Sequence, residues 1–483
     1  MITFVKINFF VLRNNSFQIC MKLNLKKLAL LYISVAFAAP FCFSSHILGI
    51  KGEDHTSIGL YIKDLKADTV VFEHNAKKCM VPASITKLLT SATAMSLLGN
   101  DYVFETKVYL TGSSDGKNGW NGDIVIKASG DPTIDSEYFP QNPSIIKEIT
   151  QALKAKGISR IKGEIVLERV NEAHQYQEGP LDTWNIDDVC WAYGCGIFDF
   201  NWGDNFFGVF PATGRYSVPV DDFKYTVWDE PWGSGLNMIR GIYSDSLIIS
   251  GKKYTTDRKA RINTAMPYPF DFFKASLKNA LKNSDIEFTS AKPTSSDRKL
   301  LLTHKSPRLE NILRSLMLRS DNMFAEGVLR KFGERYGDRD ASLKAEKDLW
   351  ESRGLDPQFN RILDGSGLSR ANAISPEFFG KVLEWMAKSG LKKSFVDLFP
   401  VAGESGTMKS YLAKTPLKGR LAVKTGSVNA VQTYAGYLTD DAGEPTHVVV
   451  IMINNFYCSR SDLRDALQVF LLDKFEPWLA EKE

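Results

Sequence analysis

The sequence predicts an α+β fold, an antiparallel sheet carrying helices and interrupted by a β-rich insertion. Three observations lead there. Two β-like segments and a helix stand near the start, helical periodicity returns after residue 267, and a β meander with a helix closes the chain. Between them lie short strands and Gly/Asp/Asn/Pro turns, with an aromatic-dense stretch from Trp184 to Phe210. The expected division is a leader over 1–45, a split domain of 46–100 and 290–483, and an insertion of 101–289.

The leader reads as an address. After Met21, three lysines (Lys22, Lys26, Lys27) precede an apolar run from Leu28 to Phe43, the layout of a secretory signal. Ala36-Phe37-Ala38 fits a cleavage site, with a cut nearer Ser45 as the alternative. Cys42 follows the bulky Phe41, unlike a lipoprotein signal, and the run is short for an uncleaved anchor. The protein is therefore expected in an exported compartment, the periplasm or cell envelope, with peripheral membrane association and oligomeric state left open. There Cys79, Cys190, Cys195 and Cys458 are free to pair; Cys190 and Cys195 are close enough to bridge, but spacing does not fix any pairing. The 6 histidines are scattered and no Cys/His pattern has ligand spacing, so neither metal nor cofactor is expected. A net charge of +4 on 483 residues is too small to argue for nucleic acid, and no such partner is expected.

Residues 57–64 and 69–73 alternate as a hairpin, followed by a helix over 81–98. Pro82 sits near its first turn, where a missing N–H costs little, and Gly99-Asn100 stops it. In the insertion, strands are expected over 105–110, 123–128 and 163–167, with one helix over 143–156. Later helices fall at 271–282, 308–318, 323–336, 341–353 and 376–389. Strands at 420–424, 432–439 and 447–454 and a helix over 463–478 complete the chain.

Chemistry enters at Ser84 and Lys87, an i, i+3 pair on one helix face. A serine needs a base beside it to become a nucleophile, and a buried lysine can be neutral enough to serve. Alone the pair proves little, since on the order of two S-x-x-K matches arise by chance in such a chain. Two more motifs change that: Ser320-Asp321-Asn322 between two helical patterns, and Lys424-Thr425-Gly426-Ser427 on an apolar β segment. Ser84 would attack a carbonyl and Lys87 would accept its proton. Ser320 would relay that proton to a leaving amine, while Lys424 keeps Lys87 neutral and attracts an anionic substrate end. Asn322 would bind a substrate amide or orient Lys87. Thr425 and Ser427 suit a terminal carboxylate, Gly426 permits close approach, and the Ser84 and Ser427 N–H groups suit an oxyanion.

In order and spacing these motifs resemble the class C low-molecular-mass penicillin-binding proteins, D-alanyl-D-alanine carboxypeptidases and endopeptidases. The likeness covers most of residues 50–483 and includes SGDPTI (129–134), DGSGLSR (364–370), Asn372, Ser375-Pro376 and PVAGESGT (400–407). It implies a penicillin-binding/serine β-lactamase-like transpeptidase domain, an acyl-serine intermediate, and peptidoglycan stem peptides and β-lactams as partners. It further implies a stem-peptide pocket: Asp188 (or the adjacent Asp187) in WNIDDVCWAYG, with Tyr193, Arg370 and Asn429. The family often has Gln or Ser where Asn429 stands. No E-x-x-L-N segment lies between Asn322 and Lys424, the element class A β-lactamases use to hydrolyse the acyl-enzyme. The expectation is a serine DD-carboxypeptidase with DD-endopeptidase activity. The alternatives are a β-lactamase or esterase on the same scaffold, or a non-hydrolytic penicillin-sensing or wall-binding protein.

Overall fold

Strands from the two ends of the chain close into one antiparallel sheet, and that closure positions everything that follows. In the computed structural model, which describes residues 46–170, 179–228, 235–292, 297–333 and 338–480, β1 (Ser57–Asp64) and β2 (Thr69–His74) form the hairpin. The C-terminal meander is β3 (Leu421–Val428), β4 (Val431–Thr439) and β5 (Pro445–Asn454), and the sheet order is β3-β4-β5-β1-β2. β1 pairs with β5 from Ser57↔Asn454 to Asp64↔His447. β4 is buried at every position and β5 from His447 onward, as central strands covered on both faces must be. The expected leader, with Cys20 and Cys42, lies outside the described residues.

The helix α1 (Thr86–Leu97) is buried from Thr86 through Met95, on all sides rather than along one stripe. Around it pack α2 (Leu309–Arg319), α3 (Asn322–Leu329), the helix Arg339–Ser352 and α4 (Pro376–Lys388). α5 (Arg460–Ala480) lies along the sheet, with Phe470 against Phe72 and Trp478 against His447. Two of these elements differ from the sequence reading. The helix expected from residue 81 begins instead as a 3-10 turn, Ala83–Ile85, because Ala83 adopts a left-handed φ of 48°. α3 ends at Leu329, short of residue 336; the chain turns through Gly333, whose N–H donates to Ser342 Oγ.

The segment between these parts builds its own sheets and a second apolar cluster around Val108, Ile126, Ile149 and Phe273. Its largest sheet takes the order Arg298–Lys305, Glu105–Thr111, Ile124–Lys127, Ile165–Glu168. The first of these strands lies beyond residue 289, so the insertion's sheet runs past the boundary placed from sequence. Phe139, Cys195, Ile197 and Ala265 pack into the main core with Phe324 and Val328 of α3, seating the insertion against the helix that follows Ser320-Asp321. Cys79, Cys190, Cys195 and Cys458 are free thiols. Cys190 Sγ is directed to the Met238 carbonyl and Cys195 Sγ to that of Asp204, so the two do not bridge.

Candidate active site

The Ser84 turn is squeezed between a strand and a loop. On one side, Thr433 Oγ1 of β4 donates to the Pro82 carbonyl at 2.7 Å, drawing the sheet onto the turn. A Cβ on Gly426 of β3 would stand 2.8 Å from Ser84 N, so only glycine lets the strand come this near. On the other side is Gly367, at φ +78°, where a Cβ would stand 1.9 Å from the Ala83 carbonyl oxygen. The left-handed Ala83 stores backbone strain beside the candidate nucleophile.

Lys87 Nζ lies 2.9 Å from Ser84 Oγ, 2.6 Å from Asn322 Oδ1 and 2.6 Å from the Ser366 carbonyl oxygen. All three are hydrogen-bond acceptors for the amine, and Lys87 is fully buried. Burial lowers its pKa to about 8, against the opposing pull of Asp364, Glu326 and Asp321. Lys424 is also fully buried, and donates to Ser320 Oγ at 2.9 Å and to the Thr425 carbonyl at 2.6 Å. Burial, and after it the charge of Lys87, holds Lys424 well below its ordinary value. Ser320 ends α2 in the left-handed region (φ 62°), a position that usually takes glycine, and this turn brings its hydroxyl to Lys424.

A cleft of about 380 Å³ opens over these groups. It is lined by Ser84, Ser320 and Asn322, by Asp188, Tyr193 and Arg370, and by Ser427 and Asn429. The expected stem-peptide residues thus meet the three motifs at one place. Tyr193 donates its hydroxyl proton to Asp188 Oδ1 (2.7 Å) and stacks with Trp191, while its carbonyl accepts from Asn322 Nδ2 at 2.7 Å. Both ends of the Asn322 amide are therefore engaged, one on Lys87 and one on the insertion. The two lysines lie beneath the lining, and of the residues expected to bind substrate three stand apart from it. Thr425 directs its hydroxyl to Thr407 Oγ1 (2.8 Å), Gly426 packs under Ser84, and Asp187 does not reach the cleft.

Behind Lys87 stand residues that are not among the expected site residues, although Asp364 opens the DGSGLSR block. Asp364, fully buried, accepts from the N–H groups of Gly367 (2.8 Å) and Ser369 (2.7 Å), from Asn372 Nδ2 (2.7 Å) and from Trp184 Nε1 (3.0 Å). That fixes the loop whose Ser366 carbonyl faces Lys87. Glu326, one turn along α3 from Asn322, accepts from Gly365 N and Ser366 N; burial, then the nearby Asp364, pushes it up to about 7. Glu346 accepts from Thr93 Oγ1 (3.0 Å), and burial pushes it up to about 8. A signal for Glu326 was present: a carboxylate amid MFAEGVL is rarely buried without a task.

Residues 48–201 and 238–473 match the model of the D-Ala-D-Ala carboxypeptidase 3 (S13) family. The chain is 26% identical over 473 residues to the D-alanyl-D-alanine carboxypeptidase DacB of Haemophilus influenzae, covering 92% of this chain and 95% of that protein. It is 24% identical over 455 residues to a D-alanyl-D-alanine carboxypeptidase of Actinomadura, covering 86% and 81%. Among solved structures, penicillin binding protein 4 of H. influenzae superposes with a TM-score of 0.72 at 22% identity, covering 86% of this chain and 96% of that one. The penicillin-binding protein fold is shared.

Proposed function

The chain belongs to the D-Ala-D-Ala carboxypeptidase 3 (S13) family and is a serine-type D-Ala-D-Ala carboxypeptidase; on that premise we propose that Ser84 is its nucleophile and that it also opens D-Ala cross-links. The observation that carries the reading is the buried Lys87 amine, lowered to about 8 and 2.9 Å from Ser84 Oγ. Ser84 Oγ attacks the penultimate D-Ala carbonyl as its proton passes to Lys87 Nζ. The Ser84 and Ser427 N–H groups take the oxyanion. Collapse breaks the C–N bond, and the Ser320 hydroxyl relays the proton taken up by Lys87 to the leaving amine, which returns Lys87 to its neutral form. Water then attacks the acyl-serine ester with Lys87 as base and releases the shortened stem peptide.

Arg370, Asn429 and the Asp188–Tyr193 pair would bind the stem peptide, with Ser427 taking the terminal carboxylate. A β-lactam acylates the same serine; the H. influenzae penicillin binding protein 4 has been solved complexed with one. The substrate is peptidoglycan, so we place the protein in the cell envelope after export. No helix among the described residues is long and apolar enough to cross a membrane.

The test uses protein trimmed before His46, with purified peptidoglycan fragments followed by mass spectrometry and Ser84→Ala beside it. Loss of one alanine from pentapeptide stems, or conversion of cross-linked dimers to monomers, is the expected result, and Ser84→Ala abolishes it. No product, with penicillin still labelling Ser84, overturns the hydrolytic reading in favour of a sensing role.

A further inference from the structure

At the rim of the cleft, the KTGS strand is gripped by a cation from the far end of the sheet. Arg460 is the first residue of α5 and is exposed. Its Nη1 donates to Ser427 Oγ (2.5 Å), Gln432 Oε1 (2.8 Å) and the Val431 carbonyl (3.2 Å), and its Nη2 to the Val428 carbonyl (2.9 Å). Every one of these acceptors is neutral. Among the described residues no carboxylate lies within ion-pair distance of Arg460, in contrast to Arg160, paired with Asp115, and Arg339, paired with Asp182. Nor does the helix gain from it, because a cation at a helix N-terminus opposes the macrodipole. The position is explained by what it faces.

Ser427 Oγ accepts from the guanidinium, so the serine's own proton must point elsewhere, and Ser427 lines the cleft. A hydroxyl polarised by a cation is the stronger donor. We propose that Arg460 is a specificity-determining residue: it holds Ser427 as a donor into the cleft and supplies the unpaired positive charge that selects substrates ending in a free carboxylate. The proposal rests on the reading that the cleft binds such peptides through KTGS. It differs from a clip for the β3–β4 turn, which would serve every substrate equally.

The experiment compares two peptides ending in D-Ala-D-Ala, one with a free C-terminal carboxylate and one with its amide, on wild type, Arg460→Ala and Arg460→Lys. Arg460→Ala is expected to lower kcat/KM for the carboxylate peptide by about 10- to 100-fold, the range for one charge-assisted contact. The amide peptide changes by less than about threefold, so wild-type discrimination collapses, and Arg460→Lys restores part of it because charge returns without the fork. Equal losses on both peptides would reduce Arg460 to a turn clip and overturn the proposal. No loss on either would overturn it as well. Wild-type inactivity on both peptides would instead sink the carboxypeptidase reading. The carboxylate claim is then read from acylation by benzylpenicillin against its methyl ester: Arg460→Ala slowing only the former supports it, and parity overturns it.

Discussion

Replacing Gly426 by alanine tests whether the strand-to-turn contact sets the catalytic geometry. The new Cβ would stand 2.2 Å from Thr433 Oγ1, 2.8 Å from the Pro82 carbonyl oxygen and 2.8 Å from Ser84 N, where ordinary contact begins at 3.4 Å. Thr433 can rotate away, at the loss of its 2.7 Å bond to Pro82, a net ~1 kcal/mol. The two backbone atoms cannot, so the strand and the Ser84 turn must part by about 0.6 Å, the difference between those two distances. Overpacking of this kind costs about 1–3 kcal/mol, within reach of a folded protein. Its effect on rate is larger, because misplacing a reacting group by about 1 Å costs on the order of 100-fold.

The assay is the second-order rate of acylation by a fluorescent penicillin, with thermal unfolding measured beside it. Gly426→Ala should acylate about 10- to 100-fold more slowly while its Tm falls by only a few degrees. The double variant Gly426→Ala/Thr433→Ala removes the side-chain clash and leaves the backbone ones, so the deficit should persist. A folded Gly426→Ala that acylates at the wild-type rate refutes the argument.

Two further outcomes follow from the same site. Because Lys87 is lowered to about 8 and works as a base when neutral, the acylation rate should rise with pH through about 8; Glu326→Gln removes a buried negative charge that favours the ammonium and should move that limb to lower pH by on the order of one unit. Superimposable profiles for the two proteins would dismiss Glu326 as a tuning group. With no E-x-x-L-N segment after Asn322, benzylpenicillin should leave a long-lived adduct on Ser84 visible by intact mass, and rapid multiple turnover would contradict this.

What the sequence disclosed was chemistry carried by local patterns. Ser84 with Lys87, Ser320 with Asn322, and the KTGS strand declare themselves by residue type and spacing, and the apolar runs of β3 to β5 foretell a sheet. Contacts that depend on long-range closure stayed hidden. Arg460 meets Ser427 only because β5 and α5 return beside β3, and nothing in FYCSRSDL marks it. The left-handed Ala83 follows from strand and loop pressing on one turn, which a helix pattern cannot contain. Asp364 lies in the DGSGLSR block, but its task emerges only when Trp184 of the insertion and Asn372 arrive as donors. Lys424 was expected to keep Lys87 neutral; burial lowers both amines, and after burial it is the charge of Lys87 that lowers Lys424.

Behind Ser84 the buried charges come in matched number. Lys87, Lys424 and Arg330 face Glu326, Glu346 and Asp364, each no more than 2% exposed. Burial drives the lysines and the two glutamates toward their neutral forms, Glu326 to about 7 and Lys87 to about 8. When Ser84 hands its proton to Lys87, a positive charge appears in a site that desolvates it, and the step is steep unless a nearby group responds. Glu326, tied through the Ser366 peptide to the carbonyl that receives the Lys87 amine, is such a group: its negative charge favours the Lys87 ammonium as it forms. The nucleophile is thus activated by groups that never touch substrate, which explains why a carboxylate is kept in the interior of α3, where an apolar side chain would pack at less desolvation cost.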